Sequence, residues 1–347
     1  MPDRLLVWYD KGNRILPWRS EPTPYHVWLS EIMLQQTRVE AVKPYYDRFL
    51  HALPDIAHLA EAGEEQLLKL WEGLGYYNRV RNLNKAAKII MEEYGGQMPG
   101  TQEELLKLPG IGRYTSGAIA SIAYGQADPA VDGNVLRVLA RLFCDERNIS
   151  EEKTKLAVEA ELREVMPKDR PGDFNQSMME LGAMVCTPNG APKCEVCPLR
   201  EMCAAHQAGT WEQYPVKSAK KPRVIEDKTV LVMQSDRRAI FRKRPAKGLL
   251  AGMYEFPCIE GKADEDKALS AVRAFGFSPL HIEPLGEAKH IFTHKEWHMI
   301  GYAVRIDELS DLEAVAKKGH FILADRSEVT ESYPIPTAYA AYRKYLT

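Results

Sequence analysis

Over its first 210 residues the chain carries apolar positions at helical spacing, run after run. Thr23 followed by Pro24 is a helix cap with proline in the first turn, and it opens "YHVWLSEIMLQQ". Thr37 with Glu40, and Thr101 with Glu104, have the spacing of reciprocal capping boxes. "EEQLLKLWEGLG" and "NRVRNLNKAAKIIMEEYGG" continue the helical pattern, the second stopped by paired glycines. The loops between these runs are short, which predicts a compact helical domain. After Tyr214 the texture changes. "PVKSAKKPR", 215–223, has four basic residues and no acidic one, a composition suited to a tether and to a strap that touches phosphate. Beyond it "KTVLVMQ" and "RAIFRKR" predict strands joined by "SDR", "DEDKALSAVRAFG" a helix, "EWHMIGYAVRI" another strand and "AYAAYRKYL" a closing helix. Residues 224–347 are therefore expected to fold as a separate α+β domain.

Composition adds bounds. At 347 residues the chain exceeds the usual size of one hydrophobic core, in agreement with two domains. A net charge of −2 means that any surface for nucleic acid must be a local one. No apolar run reaches bilayer length and "MPDRLLVWYD" lacks the plan of a signal peptide, so a cytoplasmic address is expected. Four of the six cysteines, Cys186, Cys194, Cys197 and Cys203, crowd into 18 residues with seven, two and five residues between them. That clustering favours a metal site over a disulfide framework, and the spacing admits zinc or a [4Fe–4S] cluster.

Candidate chemistry lies in three further places. In "LPGIGRYTSGAIA", Gly110 and Gly112 bend the chain between two helices, and the free N–H groups of the second helix point back into the turn. The turn is either a tight connection or an anion site for a DNA phosphate, aided by Lys107 or Arg113. Asp132 stands immediately before the apolar-periodic "GNVLRVLARLF", where aspartate is a common N-cap. Glu31 in "WLSEIMLQQT" has Val27, Leu34 and Gln35 as helical neighbours, so its carboxyl lies against apolar surface and its pKa is expected to rise. Cleavage of a glycosidic bond asks for such a pair, an acid for the leaving group and an anion for the oxocarbenium-like sugar.

The glycine turn resembles the helix–hairpin–helix element of a DNA glycosylase superfamily. With "LPWR", "SEIMLQQTRVE", "WEGLGYYNRVRNL", "VDGN", "ELGAMVCTP" and the four-cysteine loop, almost the whole chain resembles adenine DNA glycosylases of the MutY type, with endonuclease III as a cousin. The resemblance implies an all-α helix–hairpin–helix domain over 1–214. Within it a six-helix barrel would span about 23–133, and a subdomain from 1–22 and 134–214 would hold a [4Fe–4S] cluster on the four cysteines. A linker over 215–223 and a Nudix-like domain over 224–347 complete the expected organisation. It further implies that Glu31 protonates adenine at N7, that Asp132 stabilises the sugar cation, and that Asn134 steadies Asp132. Arg19 and Glu180 match residues around the adenine pocket; Leu34, Gln36 and Tyr77 match positions that wedge into the duplex. In endonuclease III the residue after "GxGR" is a lysine that cuts the strand through a Schiff base. Tyr114 stands there instead, so base removal without efficient incision is expected. The loop after Cys186 is one residue longer than the family's usual one.

"RKRPAKGLLAGMYEFP", 242–257, resembles the start of a Nudix fold, but the following helix lacks the glutamate set that holds magnesium. Binding is then the surviving use of that fold. "HIFTHKEW" resembles a loop that recognises 8-oxoguanine, which nominates Phe292, Thr293 and His294. The expected partner is duplex DNA with adenine opposite 8-oxoguanine, acted on by a monomer. The rivals are a bifunctional glycosylase/lyase like endonuclease III and a non-catalytic lesion-binding protein.

Overall fold

The computed structural model describes residues 1–219, 221–308 and 312–346. The chain divides into two compact units, one of Met1–Ala62 with Asn78–Ala219, the other of Gly63–Tyr77 with Lys220–Thr347. The division after Ala219 falls within the basic stretch 215–223. Residues 63–77, which the helical pattern assigns to the first domain, group with the second.

The first unit is helical. Thr23 accepts from the His26 N–H and starts Pro24–Leu34, and Asp132 accepts from the Asn134 and Val135 N–H groups and starts Gly133–Phe143. Thr101 caps Gln102–Leu105 and bonds Glu104 reciprocally. The capping box expected at Thr37 does not form. The next helix begins at Val39, and the Thr37 hydroxyl instead accepts from Arg79 Nη2 at 3.4 Å. One core cluster of this unit is built where Gly133–Phe143 packs on Pro171–Met184. Val135, Leu136, Val138, Leu139 and Leu142 meet Phe174, Met178, Leu181 and Val185 there. Gly182 permits the close approach, since a Cβ on it would stand 2.5 Å from the Asn134 Cβ. Gly110 is required by the turn itself. Its φ is +80°, and a Cβ there would come within 2.7 Å of the Asn82 Cβ.

The second unit is built on seven strands: β1 Val224–Gln234, β2 Arg238–Lys243, β3 Tyr254–Glu255, β4 Cys258–Glu260, β5 Pro279–Ile291, β6 Lys295–Ile306 and β7 Phe321–Asp325. The order is β3-β2-β1-β6-β5, with β4 also pairing β1 and β7 also pairing β2. Among the described residues only β1 and β6 run parallel. The continuous apolar run "VLVM" is explained by burial on both faces. Val230 and Val232 pack with Tyr339 and Tyr342 of the C-terminal turns, while Leu231 and Met233 pack with Ala268, Val272 and Leu312 of the covering helices. The closing "AYAAYRKYL" forms short helical turns and not one long helix.

Candidate active site

Pro24–Leu34 points Glu31 inward, and the helix is fixed at its C-terminal end by Arg79. Nη1 of that arginine donates to the carbonyls of Ile32, Met33 and Gln35 at 2.8, 3.0 and 2.7 Å. These carbonyls have no intrahelical partner at a helix end, so the guanidinium both satisfies them and holds the last turn of the helix in place. Glu31 itself is 6% exposed. Burial pushes its carboxyl up to about 7, the Tyr114 hydroxyl and Arg19 working against this and Asp132 adding to it.

Asp132 lies in the same cavity, of about 950 Å3, whose lining also includes Arg14, Arg19, Tyr114, Asn134, Gln176, Met179 and Glu180. The two carboxylates that the sequence placed 101 residues apart therefore face one space. Asp132 Oδ1 accepts from the Asn134 and Val135 N–H groups at 2.8 Å each, and Oδ2 accepts from Asn134 Nδ2 at 2.7 Å. Asn134 is in turn held by Arg137, whose Nη2 donates to its Oδ1 at 2.9 Å and to the Gly182 carbonyl at 2.8 Å. Burial raises the Asp132 carboxyl too, opposed by those three donors and by the Arg137 charge. Glu31 receives one neutral donor, whereas Asp132 receives three at a helix N-terminus. The two environments therefore differ, with Asp132 offering its anion more donors than Glu31 has.

Tyr114 is the link between the glycine turn and the acid. Its hydroxyl donates to Glu31 Oε2 and lies 3.1 Å from Met179 Sδ. Arg19 and Glu180 also line the cavity, but the Glu180 carboxylate is fully engaged. Arg14 Nε and Nη2 donate to it at 2.6 and 2.9 Å, and Arg19 Nη2 at 3.0 Å. Burial alone would raise Glu180; Arg14 and Arg19 hold it below the usual carboxylate range. Glu180 accordingly positions two arginines on the cavity wall. Arg14, Gln176 and Met179 were missed from the sequence; Gln176, Met179, Glu180 and Ala183 recur at helical spacing, the signal that was available.

Leu34 and Gln36 are at the cavity as well, Gln36 exposed and in the left-handed region at φ 58°. Tyr77 requires a correction. It is buried, and its hydroxyl accepts from the Gly73 N–H at 3.3 Å, so it has no free ring to insert into a duplex. The neighbouring Tyr76 is 48% exposed, with φ 48°. Within the second unit the Tyr76 hydroxyl is 2.9 Å from Thr293 Oγ1. Thr293 and His294 are exposed in the turn between β5 and β6, and Phe292 packs edge-on against Trp297 at 4.8 Å. Arg113 pairs bidentately with Glu159, while Lys107, the other cation expected at the glycine turn, is exposed. Gly112 is the N-cap of Arg113–Tyr124, and no atom lies within 4 Å of where its Cβ would be, so the turn is open to a guest.

Cys186, Cys194, Cys197 and Cys203 line one small pocket with Arg141 and His206. Arg141 Nη1 is 3.4 Å from Cys186 Sγ, a cation suited to a thiolate. Among the described residues no group of three or more His, Cys, Asp or Glu side chains is placed to hold a metal ion. Four thiol donors around a shared space are a donor set that suits soft metals, zinc and iron–sulfur clusters alike. The longer loop after Cys186 turns at Gly190, φ +70°, and returns through the Lys193 N–H to the Val185 carbonyl at 3.0 Å.

Residues 29–168 match the model of the HhH-GPD superfamily of base excision DNA repair proteins, and residues 229–345 match that of the NUDIX domain. Among solved structures, a thermostable thymine-DNA glycosylase superposes with TM-score 0.55 at 28% identity, over 59% of this chain and 94% of that one. A trapped endonuclease III–DNA covalent intermediate does so with TM-score 0.51 at 26% identity, over 60% and 94%. The helical unit is thus a helix–hairpin–helix DNA glycosylase fold. The mouse adenine DNA glycosylase is 37% identical over 88% of this chain and 70% of its own length. The human one is 38% identical over 84% and 64%, and that of Buchnera aphidicola (strain Sg) 34% over 91% and 90%. The chain belongs to the adenine DNA glycosylase family.

Proposed function

We propose that this protein excises adenine paired with 8-oxoguanine in duplex DNA and leaves the strand uncut. The observation that carries this is the convergence of a proton-holding Glu31 and a three-fold hydrogen-bonded Asp132 on one cavity. Adenine leaves poorly as an anion. Glu31 donates its proton to N7 of the flipped base as the glycosidic bond lengthens, a contribution on the order of 10²–10⁴-fold. Asp132 stabilises the positive charge that develops on the sugar until a water adds at C1′ and gives up a proton to leave the abasic site, and Asn134 with Arg137 holds that carboxylate in place. Arg14, Arg19, Gln176 and Met179 enclose the base.

The turn at Gly110 and Gly112 holds a backbone phosphate on the N–H groups of Arg113–Tyr124, positioning the duplex without reading its sequence. Tyr76 takes the wedge role that the sequence assigned to its neighbour Tyr77. Phe292, Thr293 and His294 read the 8-oxoguanine, and because the helix Glu265–Ala274 carries no magnesium-binding glutamate set, the NUDIX fold serves for binding. Cys186, Cys194, Cys197 and Cys203 would hold a [4Fe–4S] cluster, which supplies an electron-rich, rigid tie for the 186–203 loop.

The test is adenine release from duplexes carrying A opposite 8-oxoguanine, A opposite G and A opposite T, followed by gel analysis with and without alkali. Release that requires the 8-oxoguanine or G partner, with strand breaks only after alkali, is expected. Equal release from A:T, or breaks without alkali, contradicts the proposal.

A further inference from the structure

A phenol hydroxyl carries one proton, and that of Tyr114 has two acceptors within reach. It meets Glu31 Oε2, and it also stands 3.1 Å from Met179 Sδ. Met179 projects from Pro171–Met184 and lines the cavity beside Glu31 and Tyr114. Burial, with the charges of Glu31 and Asp132 adding to it, holds the Tyr114 phenol well above 10, so the tyrosine keeps its proton through the neutral range. A thioether sulfur has no proton to give and is a weak acceptor, so in this contact the tyrosine is the donor.

The state of Glu31 decides between the two acceptors. An ionised carboxylate only accepts, and a charged acceptor outcompetes a thioether, so the Tyr114 proton then points to Oε2. A protonated carboxyl can itself donate to the phenol oxygen, and the phenol proton then turns to Met179 Sδ. The two side chains stay hydrogen-bonded in both states, and the sulfur spares the phenol proton from lying buried without an acceptor. The other groups that face Glu31 have partners of their own. Asp132 is held by three donors, and Arg19 bonds Glu180 and the Arg14 carbonyl. Glu180 is held by Arg14 as well. Val39–Ala52 brings the apolar Val39 to the cavity, and Arg79 of Asn78–Glu93 bonds the carbonyls at the helix end.

We infer that Met179 is a positioning residue for the acid: its sulfur accepts from the Tyr114 hydroxyl while Glu31 is protonated, and the hydroxyl turns to Oε2 as Glu31 passes its proton to the base. One proton leaves Glu31, and the Tyr114 proton stays on its own oxygen, so a hydrogen bond is re-aimed and nothing else is transferred. The bond to the new anion is the stronger of the two, and it forms as the glycosidic bond breaks, where it lowers the barrier. The inference rests on the proposed role of Glu31 as the acid.

The test is the pH profile of single-turnover adenine release from an A:8-oxoguanine duplex. Wild type, Met179→Leu, Tyr114→Phe and the double variant are compared. Leucine keeps the bulk of methionine and lacks its sulfur, and Met179→Ile serves in its place should the leucine variant fold poorly. Without the sulfur the protonated form of Glu31 loses one neutral hydrogen bond and the ionised form loses none. The alkaline limb of Met179→Leu is therefore expected to move to lower pH by about half a unit. In the Tyr114→Phe background, where no hydroxyl is left to re-aim, adding Met179→Leu is expected to leave the limb in place. A merely structural methionine would shift the limb equally in both backgrounds, and that result overturns the inference. Wild-type release with a limb that Met179→Leu does not lower overturns the inference alone; no release by the wild type overturns the proposed function and the inference with it.

Discussion

The Tyr114 hydroxyl donates to the Glu31 carboxyl, which joins the helix after the glycine turn to a buried acidic side chain. That hydrogen bond favours the anion and so works against the burial that raises the acid. Tyr114→Phe should therefore raise the Glu31 pKa further, by about one unit for a hydrogen bond to a charged group. The alkaline limb of the excision rate, measured in single turnovers, is expected to move up by that amount. A limb that stays in place or moves down would separate Tyr114 from the acid.

Replacing the same residue by lysine restores the amine that endonuclease III places here by resemblance. Tyr114→Lys is expected to be trapped on an abasic site by borohydride, while the wild type is not. A trapped wild-type adduct would show that another amine cuts the strand.

The raised Glu31 pKa also bears on stability. A folded-state value of about 7 against an unfolded value near the ordinary 4.5 means the folded protein holds an extra proton between those pH values. Stability from this group is full below about 4.5 and is lost as pH rises through 7. The loss approaches about 3 kcal/mol for a fully ionised, buried carboxyl. Glu31→Gln cannot ionise, so its stability relative to wild type should increase on going from pH 5 to pH 8, as read by urea denaturation at each pH. A constant difference would contradict the buried acid.

Glu180 holds Arg14 and Arg19 on the cavity wall, and its side chain is 2% exposed. Glu180→Gln leaves two guanidinium groups with one neutral acceptor, which should cost about 2–3 kcal/mol. Arg19 would then press more strongly on Glu31, whose pKa should fall and whose excision limb should move to lower pH. A variant with wild-type stability and an unmoved limb would mean the network is incidental.

Much of the first unit is legible in the sequence because helix starts are local chemistry. Thr23, Thr101 and Asp132 cap where their side chains and spacing say they should. Thr37 has the same signature and fails, because Arg79, 42 residues away, takes its hydroxyl. The adjacent tyrosines show a similar limit. After Gly73 and Gly75, both at positive φ, a one-residue difference decides which ring is buried, and nothing local distinguishes Tyr76 from Tyr77. Glu31 could be identified by its apolar helical neighbours, and Asp132 by its capping position. Their meeting in one cavity depends on Gly182 letting Pro171–Met184 approach Asn134, a contact no spacing rule encodes. Grouping of 63–77 with the C-terminal unit is equally a matter of tertiary packing, since a helical run carries no record of its partner.

The four cysteines give a chemical test that needs no substrate. The purified protein is expected to be brown and to contain about four iron atoms per chain, as a [4Fe–4S] cluster requires. Colourless protein with one zinc per chain would refute the cluster and leave the fold intact.

The most direct measurement is single-turnover adenine release from an A:8-oxoguanine duplex by wild type, Glu31→Gln and Asp132→Asn, with duplex affinity measured for each. Both variants are expected to bind within a few-fold of wild type and to lose at least about 10²–10⁴ of the excision rate. Excision at the wild-type rate by Glu31→Gln would contradict the acid at the centre of the account.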